Sequence, residues 1–314
     1  MKAPLISGSS VLLITLALAG CGEGALDAPA PANNADPAAT ARGDLIDADN
    51  NHFVRVGLAR TKVVERVAQP GRTEGVPLKA ASAEELALAL RPVRLYNGQE
   101  YALARPDLAL ATRALVGKQA ESRSWASPAS PPLSEAVIGT DERSYVSSNT
   151  SFPWSTFTFS EVGCSGTMIG PGTMITAAHC VYDTTSNAWL QVYDPKYNGG
   201  SRRWPRWSPG VDGRDSNSVP YGWNQCYDVT IPTGFVNEPN SDTATALLYD
   251  YAVIDFTSRC GARPGDRSGW LGTTVASDAT ISGSTVRIYG YPGSAGGASR
   301  YHGSGPNLSA ELWG

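Results

Sequence analysis

The sequence predicts an all-β fold, a barrel or a sandwich, preceded by a small and partly helical unit. Three observations carry that reading. Beyond Val137 the apolar residues recur with a strand-like period, in Thr156–Ser160, Thr173–Ile175, Trp189–Tyr193, Tyr227–Ile231, Tyr251–Phe256 and Thr285–Tyr291. Clusters of Gly, Asn, Ser and Pro separate these runs, and no internal repeat at a fixed period is visible. Apolar residues make up 41% of the 314, enough for a sizeable core.

Taken from the N-terminus, residues 1–21 read as an export signal. Lys2 gives a positive start, and Val11–Leu18 (VLLITLAL) is an apolar run too short to span a bilayer permanently. Leu18-Ala19-Gly20-Cys21 resembles the lipobox of bacterial lipoproteins, which implies that Cys21 is acylated and becomes the first mature residue. Ordinary cleavage after Ala17-Leu18-Ala19 is the alternative. The five cysteines are an odd number for an oxidising compartment, and placing lipid on Cys21 leaves an even set.

Residues 22–50 are rich in Ala, Pro, Asn and Asp with little to bury, so they read as a disordered spacer. Residues 51–135 have a different texture. Ser82-x-x-Glu85 is a capping-box candidate opening LALAL, Asp107 is a cap candidate for LALATRAL, and Pro92 and Pro106 punctuate. The Ser/Pro-rich stretch 124–134 (SWASPASPPLS) reads as an exposed linker. A net charge of −4 without any run of Lys or Arg gives no footprint for nucleic acid, and none is expected as a partner.

An isolated His in a strand-rich chain is ordinarily a packing or surface residue, but the surroundings of His179 set it apart. Val162-Gly163-Cys164-Ser165-Gly166-Thr167-Met168-Ile169-Gly170, followed by Thr176-Ala177-Ala178-His179-Cys180, resembles the catalytic-histidine signature of the chymotrypsin-like serine endopeptidases. Tyr249-Asp250-Tyr251-Ala252-Val253-Ile254 resembles their catalytic-aspartate strand. With Val137–Arg143, Gly269–Gly272, Ile288–Gly293 and His302–Pro306 in the matching order, the chain resembles the bacterial glutamyl endopeptidase branch.

The resemblance implies a chymotrypsin-like double β-barrel over residues 136–314, with His179 as general base and Asp250 as the carboxylate that orients it. It also implies a Cys164–Cys180 disulfide around the histidine turn, stabilising by roughly 3 kcal/mol for a loop of this size. Cys226–Cys260 is then left by subtraction, one of the arrangements open to four cysteines. Ala177 and Ala178 are small enough to back an imidazole. Asp250 precedes the apolar run YAVI, so its carboxylate is expected to be buried where it can accept the Nδ1 proton of His179. A turn aspartate ahead of a strand is the alternative. Asp242, in the polar loop NSDT, and Asp255, inside the strand and without a family counterpart, are poorer candidates.

The same resemblance places the nucleophilic serine in a Gly-x-Ser-Gly context shortly after the His302–Pro306 stretch. The sequence holds one such string, Gly163–Gly166, and it belongs to the histidine patch, so Ser165 is a decoy. Ser299 lacks the following glycine. The second barrel is therefore expected to be incomplete, the chain truncated ahead of its serine, and the polypeptide as it stands inactive.

The implied activity is peptide-bond hydrolysis, with the branch suggesting cleavage after Glu. His302 is a candidate for the pocket that reads that Glu, or else a turn histidine. Residues 51–135 read as a pro-segment cut near Glu135-Ala136-Val137. Such a cut would release an extracellular enzyme from a cell-envelope lipoprotein precursor anchored at Cys21. The partners are protein or peptide substrates and, through Cys21, the membrane. The competing reading is a non-catalytic surface lipoprotein that keeps the barrel as a binding module. No cofactor or metal is implied: His52, His179 and His302 lie far apart in sequence and no H-E-x-x-H occurs. The insertion Ser201–Gly210 (SRRWPRWSPG) offers Trp and Arg either for glycan or acidic-peptide binding or for Arg stems packed on indole.

Overall fold

The computed structural model describes residues 43–47, 51–65, 67, 82–109, 111–112, 146, 148–195, 200–211, 219–241, 243–274 and 289–291. The export signal with Cys21, the linker 124–134, the proposed cut site at Glu135, Asp242, Ser299 and His302 lie outside these residues.

The N-terminal part contributes β1 (Leu45–Ile46), β2 (His52–Leu58), β3 (Thr61–Val63), β4 (Pro92–Tyr96) and β5 (Gln99–Leu103). The rest contributes β6 (Phe157–Ser160), β7 (Cys164–Met168), β8 (Thr173–Thr176), β9 (Tyr182–Asp183), β10 (Ala188–Asp194), β11 (Ser201–Arg203), β12 (Trp207–Pro209), β13 (Asp228–Pro232) and β14 (Ala252–Asp255). Ten of these form one antiparallel sheet in the order β1-β2-β5-β4-β13-β14-β8-β7-β6-β12. A second sheet runs β11-β10-β3, with β9 also on β10.

The central strands obey the period-two rule. Burial alternates along β7, β8 and β14, so Met168, Met174, Ala252 and Ile254 all reach one core with no exposed surface. That core also takes Trp189, Trp207, Val229, Ile231, Phe235 and Phe256. Strand β6 departs from alternation and is buried throughout. Its Phe157 and Phe159 enter a second cluster with Val211, Leu271 and Tyr291, while Thr158 donates its hydroxyl to Met174 Sδ at 2.8 Å on the side of the first.

The N-terminal part carries its expected helix among strands. Ala83–Ala89 opens with Ser82 Oγ accepting from the Glu85 amide at 3.1 Å, and Glu85 Oε2 accepting from the Ser82 amide at 2.9 Å. Strands nevertheless dominate. Asn97 and Gly98, at φ 49 and 75, make the tight turn that folds β4 onto β5. Strand β1, inside the stretch read as disordered spacer, pairs with β2. The partly helical part is also tied to the main sheet, because β4 pairs with β13.

The Trp/Arg insertion turns inward. Trp207 is fully buried, and Glu161, itself 4% exposed, collects the guanidinium groups of Arg203 and Arg206 together with the Arg206 amide. Arg206 also lies 4.9 Å from the Trp223 ring centroid. These two arginines are committed to internal partners, which favours packing on indole over the ligand reading. Glu161→Gln is expected to destabilise by about 3 kcal/mol, because it removes a buried charge shared by two guanidinium groups and leaves Arg203 to Asp194. A urea midpoint unchanged from the wild type would contradict this.

Candidate active site

Register brings the two predicted residues together. Strands β8 and β14 are antiparallel with Thr176 opposite Ala252, so the residues leaving β8 and those entering β14 emerge at the same end of the sheet. His179 lies just past Thr176, in the short helical turn Ala178–Cys180. Asp250 lies just before Ala252. The Cys164–Cys180 disulfide ties this turn back to β7 across a Cα separation of 6.0 Å, and Ala178 packs beneath it with no exposure. Replacing both cysteines by Ser is expected to cost roughly 3 kcal/mol of stability, read from a denaturant titration; an unchanged midpoint would show that packing alone holds the turn.

Asp250 grips the histidine twice. Its Oδ1 accepts the His179 backbone N–H at 2.8 Å, and its Oδ2 stands 2.7 Å from His179 Nδ1. Both side chains are about nine-tenths buried. An ionised carboxylate has no proton to give, so the hydrogen between them sits on Nδ1. The remaining ring nitrogen, Nε2, is left as an acceptor. The imidazole is thereby fixed in tautomer and in plane, with its basic lone pair free for an incoming hydroxyl. Holding the backbone as well as the ring makes the orientation independent of side-chain rotation alone.

The other candidates fall elsewhere. Asp255 ends β14 at the far end from Asp250, where its Oδ1 accepts the amides of Thr257 and Ser258 and the Thr257 hydroxyl. Ser165 Oγ accepts the Tyr291 amide at 2.8 Å, so its hydroxyl joins β7 to the segment around Tyr291. Its neighbour Gly166 admits no side chain, since a Cβ there would stand 2.6 Å from Thr158 Oγ1 and 2.9 Å from Met174 Sδ. His52 pairs with Asp44 at 3.0 Å on the N-terminal strands. Cys226 is joined to Cys260. Among the described residues one group has metal-ligand spacing, Cys164, His179 and Cys180. Its two sulfurs are bonded to each other and offer no thiolate.

Tyr249, beside Asp250, was not singled out in the sequence. Its ring lies flush on Gly234, where a Cβ would come within 2.6 Å of it, and packs against the cluster of Leu86, Ala87 and Ala111 from the N-terminal part. A Gly-Tyr pair so distant in sequence carries no local signal.

Residues 142–309 match the sequence model of the family described as Trypsin. The chain belongs to the trypsin family. Its fold is accordingly chymotrypsin-like and all-β, in keeping with the strand content and the large antiparallel sheet. Among curated relatives of this trypsin-family chain, the glutamyl endopeptidase of Bacillus licheniformis is 31% identical over 202 residues, 63% of this chain and 55% of the relative. A protein of Bacillus subtilis called extracellular metalloprotease is 28% identical over 166 residues, 50% of this chain and 45% of the relative. Inactive serine protease 35 of Mus musculus is 30% identical over 164 residues, 40% of each. The chain spans about half the length of the curated relatives it matches. A solved Glu endopeptidase in complex with MPD shares 27% identity at a TM-score of 0.36, covering 50% of this chain and 62% of that one.

Proposed function

We propose that the protein is an exported serine endopeptidase precursor that hydrolyses peptide bonds after Glu through a Ser-His-Asp triad. The observation that carries this is the double grip of Asp250 on His179, which leaves Nε2 as a base. A serine hydroxyl attacks the peptide carbonyl carbon while His179 Nε2 takes its proton. The C–N bond then breaks and the imidazolium returns the proton to the departing amine. Water repeats the two steps on the acyl ester, and Asp250 stabilises the imidazolium each time. The 314 residues hold no Gly-x-Ser-Gly after the histidine patch, so in this proposal the nucleophile comes from outside them.

Preference for Glu is supported by the likeness to a relative called glutamyl endopeptidase. Export is supported by Lys2 and Val11–Leu18, and by the relative called extracellular. In the same proposal Cys21 carries lipid and maturation cuts near Glu135-Ala136-Val137. The test is a peptide library varied at the residue before the scissile bond, with a chain extended through a Gly-x-Ser-Gly serine. Turnover confined to Glu peptides supports the reading. Turnover with another residue removes the specificity, and no turnover with any peptide removes the activity. That last result would favour the non-catalytic binding module, the reading for which the mouse relative named inactive is a precedent.

A further inference from the structure

We propose that residues 51–112 are a non-covalently held subunit of the catalytic body, so that a cut in the linker leaves them docked. On this reading, release from the anchor does not follow from cleavage. Two strands of the segment cover two separate edges of the catalytic part. Strand β4 lies antiparallel on β13, with Val93 opposite Ile231 and Leu95 opposite Val229. Strand β3 lies parallel on β10, with Thr61 opposite Trp189 and Val63 opposite Gln191. Backbone bonds extend both pairings: Val64 N–H to Gln191 O at 2.8 Å, Trp189 N–H to Arg60 O at 2.8 Å, and Thr233 N–H to Arg91 O at 2.8 Å.

The contact is also core. Val67, Val93 and Leu95 are buried in the same cluster as Trp189, Val229, Ile231 and Phe256. Separation would open that cluster to water and leave β10 and β13 without these partners on their edges. Polar partners then fix the register. The Trp189 indole N–H donates to Glu100 Oε2 at 2.9 Å. Asp228, 1% exposed, faces Arg94 at 3.3 Å and accepts the Ser258 hydroxyl. Burial pushes the Asp228 carboxyl up, while the Ser258 hydroxyl and Arg94 pull against it, so Arg94 is the cation that makes this burial tolerable.

The docking reaches the site. Tyr249, the residue before Asp250, packs on Gly234 and against the cluster of Leu86, Ala87 and Ala111 of the segment. A retained segment therefore supports the loop that aims the carboxylate at His179.

The experiment places the recognition sequence of an unrelated, site-specific protease within residues 124–134 of the full chain, cuts it, and runs size exclusion in native buffer. It needs no activity of the protein itself, so it stands or falls apart from the peptidase reading. The two pieces are expected to co-elute in equal amounts and to part only in denaturant. In the cut chain Arg94→Ala is expected to weaken their association about tenfold, as loss of a buried counter-charge requires. Elution of the segment apart from the remainder in native buffer, whether or not the remainder stays folded, overturns the proposal. So does an Arg94→Ala chain that holds together as tightly as the wild type.

Discussion

His179→Ala, introduced into a chain that carries the Gly-x-Ser-Gly serine, is expected to lower kcat by about six powers of ten and to abolish labelling by fluorophosphonate probes. The size follows from what the imidazole alone can do. A serine hydroxyl is a poor nucleophile until a base removes its proton, and Nε2 is the acceptor that the Asp250 contact leaves open. Alanine leaves the disulfide-bound turn in place, because Cys180 and Ala178 hold the backbone, so the loss is chemical rather than structural. In that chain Ser165, in the Gly163–Gly166 string, is expected to stay unlabelled, since its oxygen is held by the Tyr291 amide. Probe mapped onto Ser165 would overturn that assignment.

Asp250→Asn is expected to cost about four powers of ten in kcat with little change in KM. The carboxylate serves two donors at once, the His179 amide and the Nδ1 hydrogen, and an amide has a single oxygen to offer. If that oxygen stays on the backbone amide, the NH2 faces Nδ1 and drives the ring to its other tautomer. Nε2 then carries the hydrogen and is no longer a base. If the side chain turns over, the NH2 meets the backbone N–H and the turn is pushed out of place. Either way the fold survives, so circular dichroism should be unchanged while turnover collapses. An Asn variant that retained a tenth of the wild-type rate would remove Asp250 from the mechanism.

The contact between His179 and Asp250 was legible in the sequence because its parts are local. A His between small residues and a Cys, and an Asp ahead of an apolar run, are patterns within a few positions. The antiparallel register of β8 and β14 does the rest. Strand β7 was less legible: CSGTM, with a glycine at its centre, was not among the strand-like runs, and it is a strand because β6 and β8 hold it from both sides. The hairpin of β4 and β5 had a local signal, Asn97-Gly98 between alternating apolar residues, which the helical reading of that region passed over. What no window of sequence could carry is the pairing of β4 with β13, since Arg94 and Asp228 are 134 positions apart.

That span also sets an order of events at the ribosome. At about 5–20 residues per second, Arg94 emerges on the order of ten seconds before Asp228 exists. During that interval β4 has its hairpin partner β5 on one side and nothing on the other, with Val93 and Leu95 still wet. The N-terminal half is thus born as an adhesive edge waiting for its match. The nascent chain has to be kept from other strands until residue 232 has been made, which makes this pairing the step at which synthesis is most exposed to misassembly.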